Sequence, residues 1–220
     1  KINVLVSAPT GSGKTTVADY AIEQAKITNP KAKIIYTCPI KALCNEKYRD
    51  MVLSWGSHPY NYTIGLMTGD IIINPYRQGE ELGELGELGE LGELGELGEL
   101  EEQGELEEQG ELEELGEQPA QLAQSNSSGD IVVMTTEVLQ KLMETPDRTI
   151  FNPNVIIFFF FFYIGDESRG HVWEKCIIGT LFNTDALLIM LSATIGNTSQ
   201  IKTWLNTICA HKPTEVIVKM

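Results

Sequence analysis

A glycine-rich loop that directly follows an apolar strand constrains the fold of this chain more than any other feature. The loop consists of Ala8-Pro9-Thr10-Gly11-Ser12-Gly13-Lys14-Thr15 and follows the strand Ile2 to Ser7. Its two glycines permit a tight turn in which successive N–H groups surround phosphate oxygens. Lys14 can then reach the β- and γ-phosphates, and the Thr15 hydroxyl can bind Mg²⁺. The sequence therefore predicts a phosphate-binding loop in a nucleotide-binding domain.

Short apolar strands alternate with helix-period stretches along the chain. The predicted strands cover residues 2–6, 33–37, 62–67, 130–134, 155 to about 161, 186–191 and 215–219. The predicted helices lie near residues 14–27, 40–55, 136–144, 168–182 and 198–208. Strands rich in Val and Ile that are joined by helices are typical of sheets buried on both faces. The sequence therefore predicts an α/β fold with a mostly parallel sheet.

A low-complexity segment, residues 79–128, interrupts this alternation. Residues 79–117 contain seventeen Glu and neither Lys nor Arg, so the net charge of -15 becomes +2 without them. Glycine recurs at every third position without the proline of collagen, while the glycines and like charges disfavour a helix. The sequence predicts an acidic, mostly disordered insertion that ends in a polar tether. The insertion divides one domain into two parts, residues 1–78 and 129–220.

Cysteine and histidine usage predicts neither a disulfide framework nor a zinc site. Cys38, Cys44, Cys176 and Cys209 lack metal-type spacing, which is typical of free thiols in a reducing compartment, and the three histidines are equally scattered. The longest apolar run, residues 155–164, is shorter than the ~20 residues of a membrane helix. We expect a soluble intracellular protein without a signal peptide, in either the cytoplasm or the nucleus.

Further blocks follow the phosphate loop in a fixed order. They are Pro39-Ile-Lys41-Ala-Leu43 with Asn45 and Lys47 to Asp50, Gly65-Leu-Met-Thr-Gly69-Asp70, Met134-Thr135-Thr136-Glu137-Val-Leu139, Tyr163-Ile164, Arg169-Gly170, Val172-Trp-Glu174 and Leu191-Ser192-Ala193-Thr194-Ile195. Together they resemble the first RecA-like domain of superfamily-two helicases, and more narrowly the superkiller-like DExH-box RNA helicases that work with the RNA exosome. Outside the insertion, the resemblance covers nearly the whole chain.

The resemblance implies a RecA-like P-loop NTPase domain, with helices on both faces of its sheet, that uses ATP and Mg²⁺. It implies a second RecA-like domain in the parent chain, an exosome-type complex as partner, and no membrane. The substrate would be single-stranded or partly duplex RNA, because related DNA helicases match less well at residues 39–43, 65–70 and 135–137.

The resemblance also assigns roles to individual residues. Contacts to the nucleic-acid backbone would come from Pro39, Lys41, Asn45, Gly69, Asp70, Thr135, Thr136 and Glu137. Alternatively, the two threonines cap a helix and Glu137 lies in its first turn. Ser192, Ala193 and Thr194 would relay the nucleotide state to the nucleic-acid groove.

The chain departs from the family pattern where the family has Asp-Glu-X-His. Here those four positions are Phe159, Phe160, Phe161 and Phe162, so no catalytic residue is intact. Phenylalanine can neither hold Mg²⁺ nor orient the attacking water, and four large rings are expected to crowd the site. Asp166 and Glu167 lie too far along the chain to substitute, and Glu167 is expected to stabilise a helix start. The run is either a natural degenerate motif or an altered segment of a chain whose parent has Asp-Glu-X-His.

The predicted function is the ATP-binding first motor domain of an ATP-dependent RNA helicase, which couples ATP binding and hydrolysis to RNA unwinding or translocation. Efficient hydrolysis by the chain as written is not expected. The alternative is a hydrolysis-deficient pseudo-helicase that acts as a nucleotide- or RNA-binding scaffold. The acidic insertion either competes with RNA or recruits a basic partner, or it is a tolerated solvated loop.

Overall fold

A computed structural model describes residues 2–69, 71–73, 129–144, 152–166, 168–209 and 211–219. Its strands are β1 (Asn3–Ser7), β2 (Ile34–Cys38), β3 (Ile64–Met67), β4 (Ile72–Ile73), β5 (Ile131–Thr135), β6 (Val155–Phe159), β7 (Leu187–Ser192) and β8 (Thr214–Val218). Its α-helices are α1 (Lys14–Thr28), α2 (Lys41–Ser54), α3 (Thr136–Glu144), α4 (Gly170–Asn183) and α5 (Thr198–Ile208). The predicted insertion, residues 79–128, lies outside the described residues.

The strands form a single sheet in the order β4-β3-β5-β2-β6-β7-β1-β8. Every neighbouring pair is parallel except β3 and the two-residue strand β4, which the sequence pattern did not predict. The central strands β2 and β6 are buried along their whole length, as expected of a parallel sheet covered on both faces. The predicted α/β fold with a mostly parallel sheet is therefore confirmed.

Two hydrophobic cores lie on opposite faces of the sheet. One contains Ala18 and Ile22 of α1 and Met51 of α2. The other contains Leu139 of α3 and Trp173 of α4, together with buried residues of α5. Helices therefore cover both faces of the sheet.

The strand predicted to extend to about residue 161 is shorter in the structure. β6 ends at Phe159, Phe160 adopts a left-handed conformation with φ 63°, and a 3₁₀ helix follows over Phe161–Gly165. The apolar run carries no internal signal that separates strand from turn, because every residue from 155 to 162 is apolar. The left-handed residue turns the chain away from the sheet at the edge where ligands bind α/β folds.

An ion pair anchors the amino edge of the sheet, where the chain resumes after residue 128. The Lys26 ammonium lies 2.6 Å from the Asp130 carboxylate, and the Lys26 side chain is only 1% exposed. The N–H and the hydroxyl of Thr63 donate to the same carboxylate at 2.9 and 2.8 Å. Burial raises the pKa of Asp130, but the hydrogen bonds from Lys26 and Thr63 outweigh it and hold that pKa below its ordinary value.

The four cysteines of the chain lie within the described residues. All four cysteines are buried and free. Across the described ranges, no group of three or more His, Cys, Asp or Glu side chains could hold a metal ion. No helix in the described part of the chain is long and apolar enough to cross a bilayer.

Candidate nucleotide and nucleic-acid site

The sheet order separates the predicted site residues into two adjacent halves of one edge. The phosphate loop follows β1, the Phe run begins at the end of β6, and the Ser-Ala-Thr triplet begins at the end of β7; these three strands are neighbours in the sheet. The predicted nucleic-acid residues follow β3, β5 and β2, which are also neighbours. Because parallel strands end at the same edge, a nucleotide half and a nucleic-acid half meet between β2 and β6.

The phosphate loop has the backbone geometry that its sequence predicts. Gly11 and Gly13 have φ values of 75° and 88°, in the left-handed region that favours glycine. The Ser12 N–H donates to the Pro9 carbonyl at 3.2 Å and closes the turn. A side chain at Gly11 or Gly13 would be strained by the backbone alone, so these positions require glycine.

The amino end of α1 is suited to an anion. Gly13 precedes the helix and provides no side-chain cap, and no acidic residue lies in the first turn. No side chain of this turn therefore competes with a phosphate for the N–H groups and the positive dipole end of α1. Lys14 donates to the Ala8 and Pro9 carbonyls, both at 2.8 Å, and burial lowers its pKa. Its ammonium lies across the loop, where a phosphate would replace the carbonyls as partner.

Thr15 lies exposed in the first turn of α1, and its hydroxyl is the one that the phosphate-loop pattern predicts to bind Mg²⁺. The position that the family fills with a metal-binding Asp is Phe159, so this chain offers no carboxylate there. Mg²⁺ binds oxygen ligands and usually keeps several waters. The glycine turn, the start of α1 and Lys14 are suited to nucleotide phosphate, and Thr15 offers a hydroxyl to the metal.

Hydrogen bonds join the phosphate-loop strand to the Ser-Ala-Thr segment. Ser7 of β1 lies in register with Ser192 of β7, and the Ala8 N–H donates to the Ser192 carbonyl at 3.1 Å. The Ser7 hydroxyl accepts from the Ile195 N–H at 2.9 Å and donates to the Ala193 carbonyl at 3.3 Å. The end of the phosphate-loop strand and residues 192–195 are therefore held together at this edge of the sheet.

The four rings of the Phe run point in different directions. Phe159 is buried on the face covered by α1 and α2, whereas Phe161 is fully buried on the opposite face, in the core that contains Trp173. Phe160 is half-buried and packs edge-on against Phe159 and Phe162, with ring centroids 4.6 and 5.7 Å apart. The expectation that all four rings crowd the site is therefore wrong for Phe161, because the turn at Phe160 directs that ring into the core.

Buried hydroxyl groups on both strands beside β6 lack partners. Tyr36 on β2 is 1% exposed, and its ring lies 5.6 Å from that of Phe159. Ser192 follows Leu191 of β7, which pairs with Phe159. Neither hydroxyl has a hydrogen-bond partner among the described residues, and burial raises the pKa of Tyr36 well above its ordinary value. Unpaired buried hydroxyls cost about 1–3 kcal/mol each, so the aromatic run lies in a setting that would accommodate polar side chains.

Asp166 acts as a local turn residue. Its carboxylate accepts hydrogen bonds from the Ser168 hydroxyl at 2.7 Å and from the N–H groups of Ser168 and Arg169 at 2.9 and 2.8 Å. These bonds, that of the Ser168 hydroxyl first, lower the pKa of Asp166. Asp166 therefore stabilises the entry to α4. Glu167, predicted to stabilise the same helix start, lies outside the described residues.

The two threonines at the start of α3 face inward. Thr135 accepts a hydrogen bond from the Val138 N–H at 3.5 Å, as an N-cap residue does, and Thr136 donates to the Cys38 carbonyl at 3.4 Å. Both side chains are buried. Glu137 lies in the first turn of the helix. The structure therefore contains the helix-capping arrangement, with both threonine side chains turned away from solvent.

The remaining nucleic-acid candidates lie on the same half of the edge. Pro39 follows β2, Lys41 begins α2, and Gly69 follows β3. The amide oxygen of Asn45, one turn into α2, is buried without a partner among the described residues. Asp70 lies outside the described residues.

Arg169 connects the segments after β2 and β5. Its Nη2 atom donates to the Pro39 carbonyl at 2.9 Å and to the Glu137 carboxylate at 2.8 Å. Sequence reasoning quoted Arg169 within a motif but assigned it no role, and it did not single out Ser7. Both residues act across elements that are far apart in sequence, so a local pattern carries no signal for their partners.

Comparison with known proteins agrees with this architecture. A family model described as DEAD/DEAH box helicase matches residues 1–80. The fission yeast ATP-dependent RNA helicase mtr4 is 31% identical over 206 residues, which cover 94% of this chain and 13% of that protein. The human exosome RNA helicase MTR4 is 30% identical over 92% of this chain and 14% of its own length, and the budding yeast antiviral helicase SKI2 is 30% identical over 92% and 11%.

Solved helicase structures share the fold. Helicase Lhr of Mycobacterium smegmatis, bound to single-stranded DNA and AMP-PNP, superposes with a TM-score of 0.61 at 20% identity over 100% of this chain and 24% of its own. The DUF1998 helicase MrfA bound to DNA gives a TM-score of 0.60 at 15% identity over 99% of this chain and 25% of its own. At these identities the likeness shows the fold alone.

The fold, the phosphate loop and these matches define a RecA-like helicase motor domain, and the chain belongs to the DEAD/DEAH box helicases. Within that family it is homologous to Mtr4- and Ski2-like DExH RNA helicases, at about 30% identity over most of its length. Because these relatives are named as helicases, the comparisons do not favour the alternative of a hydrolysis-deficient pseudo-helicase that acts as a scaffold. The chain spans 11–14% of their length.

Proposed function

We propose that this chain is the ATP-binding first motor domain of an ATP-dependent RNA helicase. In the parent protein, ATP binding and hydrolysis would drive RNA unwinding or translocation. The observation that carries the proposal is the link from the phosphate loop through Ser7 to residues 192–195.

The phosphate loop, residues 8–15, binds the nucleotide in this proposal. The N–H groups at the start of α1 donate to the phosphates, and Lys14 turns from the Ala8 and Pro9 carbonyls to the β- and γ-phosphates. Thr15 offers its hydroxyl to Mg²⁺. When bound, ATP supplies the phosphoryl group whose loss changes the contacts of the loop.

Hydrolysis is the property that the Phe run removes. Phe159, Phe160 and Phe162 stand where relatives would hold the metal and orient the attacking water, and a phenyl ring can neither bind a metal nor accept a proton. The chain as written is therefore proposed to bind ATP and to hydrolyse it poorly. The run remains either a natural motif or an alteration of Asp-Glu-X-His, and sequencing the parent gene across codons 155–165 would distinguish them.

The nucleic-acid half of the edge is proposed to hold single-stranded or partly duplex RNA, with DNA as the weaker ligand. Its candidate contacts are Pro39, Lys41, Asn45, Gly69, Asp70, Thr135, Thr136 and Glu137. Since Thr135 and Thr136 are buried, we expect contact through the backbone of their turn. Such contacts bind phosphate and sugar without reading sequence.

The wider assembly is inferred from the relatives. A second RecA-like domain would complete the nucleotide cleft, so the isolated chain is not expected to show RNA-stimulated ATP hydrolysis even with Asp-Glu-X-His restored. An exosome-type complex is the proposed partner, because relatives of this chain are named exosome RNA helicases.

The insertion, residues 79–128, is proposed as a separate acidic segment that competes with RNA, recruits a basic partner, or remains a solvated loop. If deletion of residues 79–117 leaves RNA affinity unchanged at low salt, competition is excluded.

Binding of single-stranded nucleic acid tests the proposal that this chain binds RNA. Fluorescence anisotropy would compare a labelled single-stranded RNA with a DNA of the same sequence, between 50 and 200 mM salt, with a non-hydrolysable ATP analogue present. We expect tighter binding to RNA and affinity that falls as salt rises. Binding to neither strand would instead favour a nucleotide-binding protein unrelated to nucleic acid.

Restoration of the motif tests the hydrolysis half. In the full-length parent, the combined changes Phe159→Asp, Phe160→Glu and Phe162→His are expected to raise RNA-stimulated ATP hydrolysis by orders of magnitude. The matched control is Phe182→Ala, which removes an exposed ring far from the edge. If the restored protein remains inactive, the scaffold alternative gains.

A further inference from the structure

We infer that Arg169 is a positioning residue that sets the geometry of the nucleic-acid half of the edge. The inference rests on the proposed function, because it assumes that a strand lies along this half. Arg169 would act on RNA through Pro39 and Glu137 rather than by touching the strand.

One guanidinium nitrogen holds two groups from different elements. Arg169 Nη2 lies 2.9 Å from the Pro39 carbonyl oxygen and 2.8 Å from Glu137 Oε1. Pro39 follows β2 and Glu137 follows β5, and these strands are paired in the sheet. The planar guanidinium offers several donors in fixed directions, so it can fix the spacing of two acceptors in a way that a flexible ammonium cannot.

The Arg169–Glu137 ion pair is partly shielded from water and lies where phosphates are proposed to bind. The Arg169 and Glu137 side chains are 23% and 19% exposed, so water screens the pair only in part. Without Arg169, Glu137 would lose its cationic partner at 2.8 Å where phosphates are proposed to bind. The Pro39 carbonyl would at the same time lose a charged hydrogen-bond donor.

Arg169 is itself held in place from the nucleotide half. Its N–H donates to the Asp166 carboxylate at 2.8 Å, and the Gly170 N–H donates to the Asp166 carbonyl at 2.9 Å. Asp166 directly follows the 3₁₀ helix Phe161–Gly165, which continues from the end of β6. A short stretch of chain thus connects the Phe run to Arg169, and through Arg169 to Pro39 and Glu137. It connects the two halves, whereas the Ser7 link lies within the nucleotide half.

The double variant Arg169→Gln with Glu137→Gln tests the inference, because it removes one positive and one negative charge together. RNA affinity would be measured by anisotropy at several salt concentrations, and fluorescent ATP binding would report whether the nucleotide half is intact. We expect RNA affinity to fall about tenfold with ATP affinity and salt dependence unchanged. The control is the pair Lys202→Gln with Glu215→Gln, which removes an exposed 3.0 Å ion pair on other elements.

Each other outcome overturns the inference. RNA affinity equal to that of the unchanged chain would mean that Arg169 only neutralises Glu137 or does not matter. A salt slope lower by about 0.7 would mean that Arg169 binds a phosphate directly. Should the double variant fail to fold, Arg169→Lys is measured instead: because the charge is kept and only the planar fork is lost, RNA affinity should still fall, and unchanged affinity overturns the inference. If the unchanged chain binds no RNA, the proposed function fails, which is a result distinct from these.

Discussion

The Ser7 hydroxyl accepts a hydrogen bond from the Ile195 N–H at 2.9 Å, across 188 positions of sequence. Because Ser7 is the last residue of β1, the same side chain ends the strand that carries the phosphate loop and holds the segment after β7. A nucleotide that shifts the loop would pull on residues 192–195 through this bond. In this account, Ser7 is the first link between nucleotide binding and the rest of the edge.

Removal of that hydroxyl should cost stability and coupling together. In Ser7→Ala, the half-buried segment after β7 loses the acceptor for the Ile195 N–H, so the free energy of unfolding should fall by about 1–3 kcal/mol. Any tightening of RNA binding by an ATP analogue should also shrink. Denaturant unfolding and paired RNA titrations measure the two effects. Ser54→Ala, which removes an exposed hydroxyl within α2, is the control. Equal stability of the two variants would contradict the role of Ser7.

Phe160 should behave as a position that prefers glycine. At φ 63° a residue with a Cβ is strained, by about 1–2 kcal/mol, whereas glycine is not. Phe160→Gly and Phe160→Ala both remove the ring, so their comparison isolates the backbone. We expect the glycine variant to be more stable by about 1 kcal/mol in denaturant unfolding.

The same pair of changes within a helix provides the control for Phe160. Phe182 lies in α4 and is 70% exposed. There Phe182→Ala should be more stable than Phe182→Gly by about 1 kcal/mol, the opposite sign, because glycine disfavours helix interiors. If alanine is also the better residue at position 160, the left-handed turn at the end of β6 is wrong.

Several of these features could be predicted from the sequence and others could not. The phosphate loop and nearly all strands and helices follow from local patterns, because apolar periodicity and glycine placement act over a few residues. The turn at Phe160 was missed, since an unbroken apolar run hides where a strand ends. The contacts of Arg169 were also missed, because the order of strands in a parallel sheet is not written in any local pattern.

The buried pair Lys26–Asp130 should make stability depend on pH. The folded pKa of Asp130 is held below its ordinary value of about 4, so its stabilisation is present above that value and is lost as pH falls through the folded pKa. Asp130→Asn leaves the Lys26 ammonium buried without a carboxylate, which should cost on the order of 3 kcal/mol at pH 7.

Denaturant unfolding between pH 7 and pH 3 checks this dependence. The difference between the unchanged chain and Asp130→Asn should be constant near neutral pH and should shrink below about pH 4. Glu215→Gln, which breaks the exposed pair with Lys202, should change stability by less than about 1 kcal/mol. A difference for Asp130→Asn that is the same at pH 7 and pH 3 would show that the charge of Asp130 contributes nothing.

The binding of ATP by the phosphate loop is tested most directly by titration of this chain with a fluorescent ATP analogue and Mg²⁺, beside the variant Lys14→Ala. Lys14 already lies across the loop, 2.8 Å from two carbonyl oxygens that a phosphate would replace. The account predicts saturable binding by the unchanged chain and at least about tenfold weaker binding by Lys14→Ala, with both folded. Equal affinity of the two chains, or no binding by either, would contradict it.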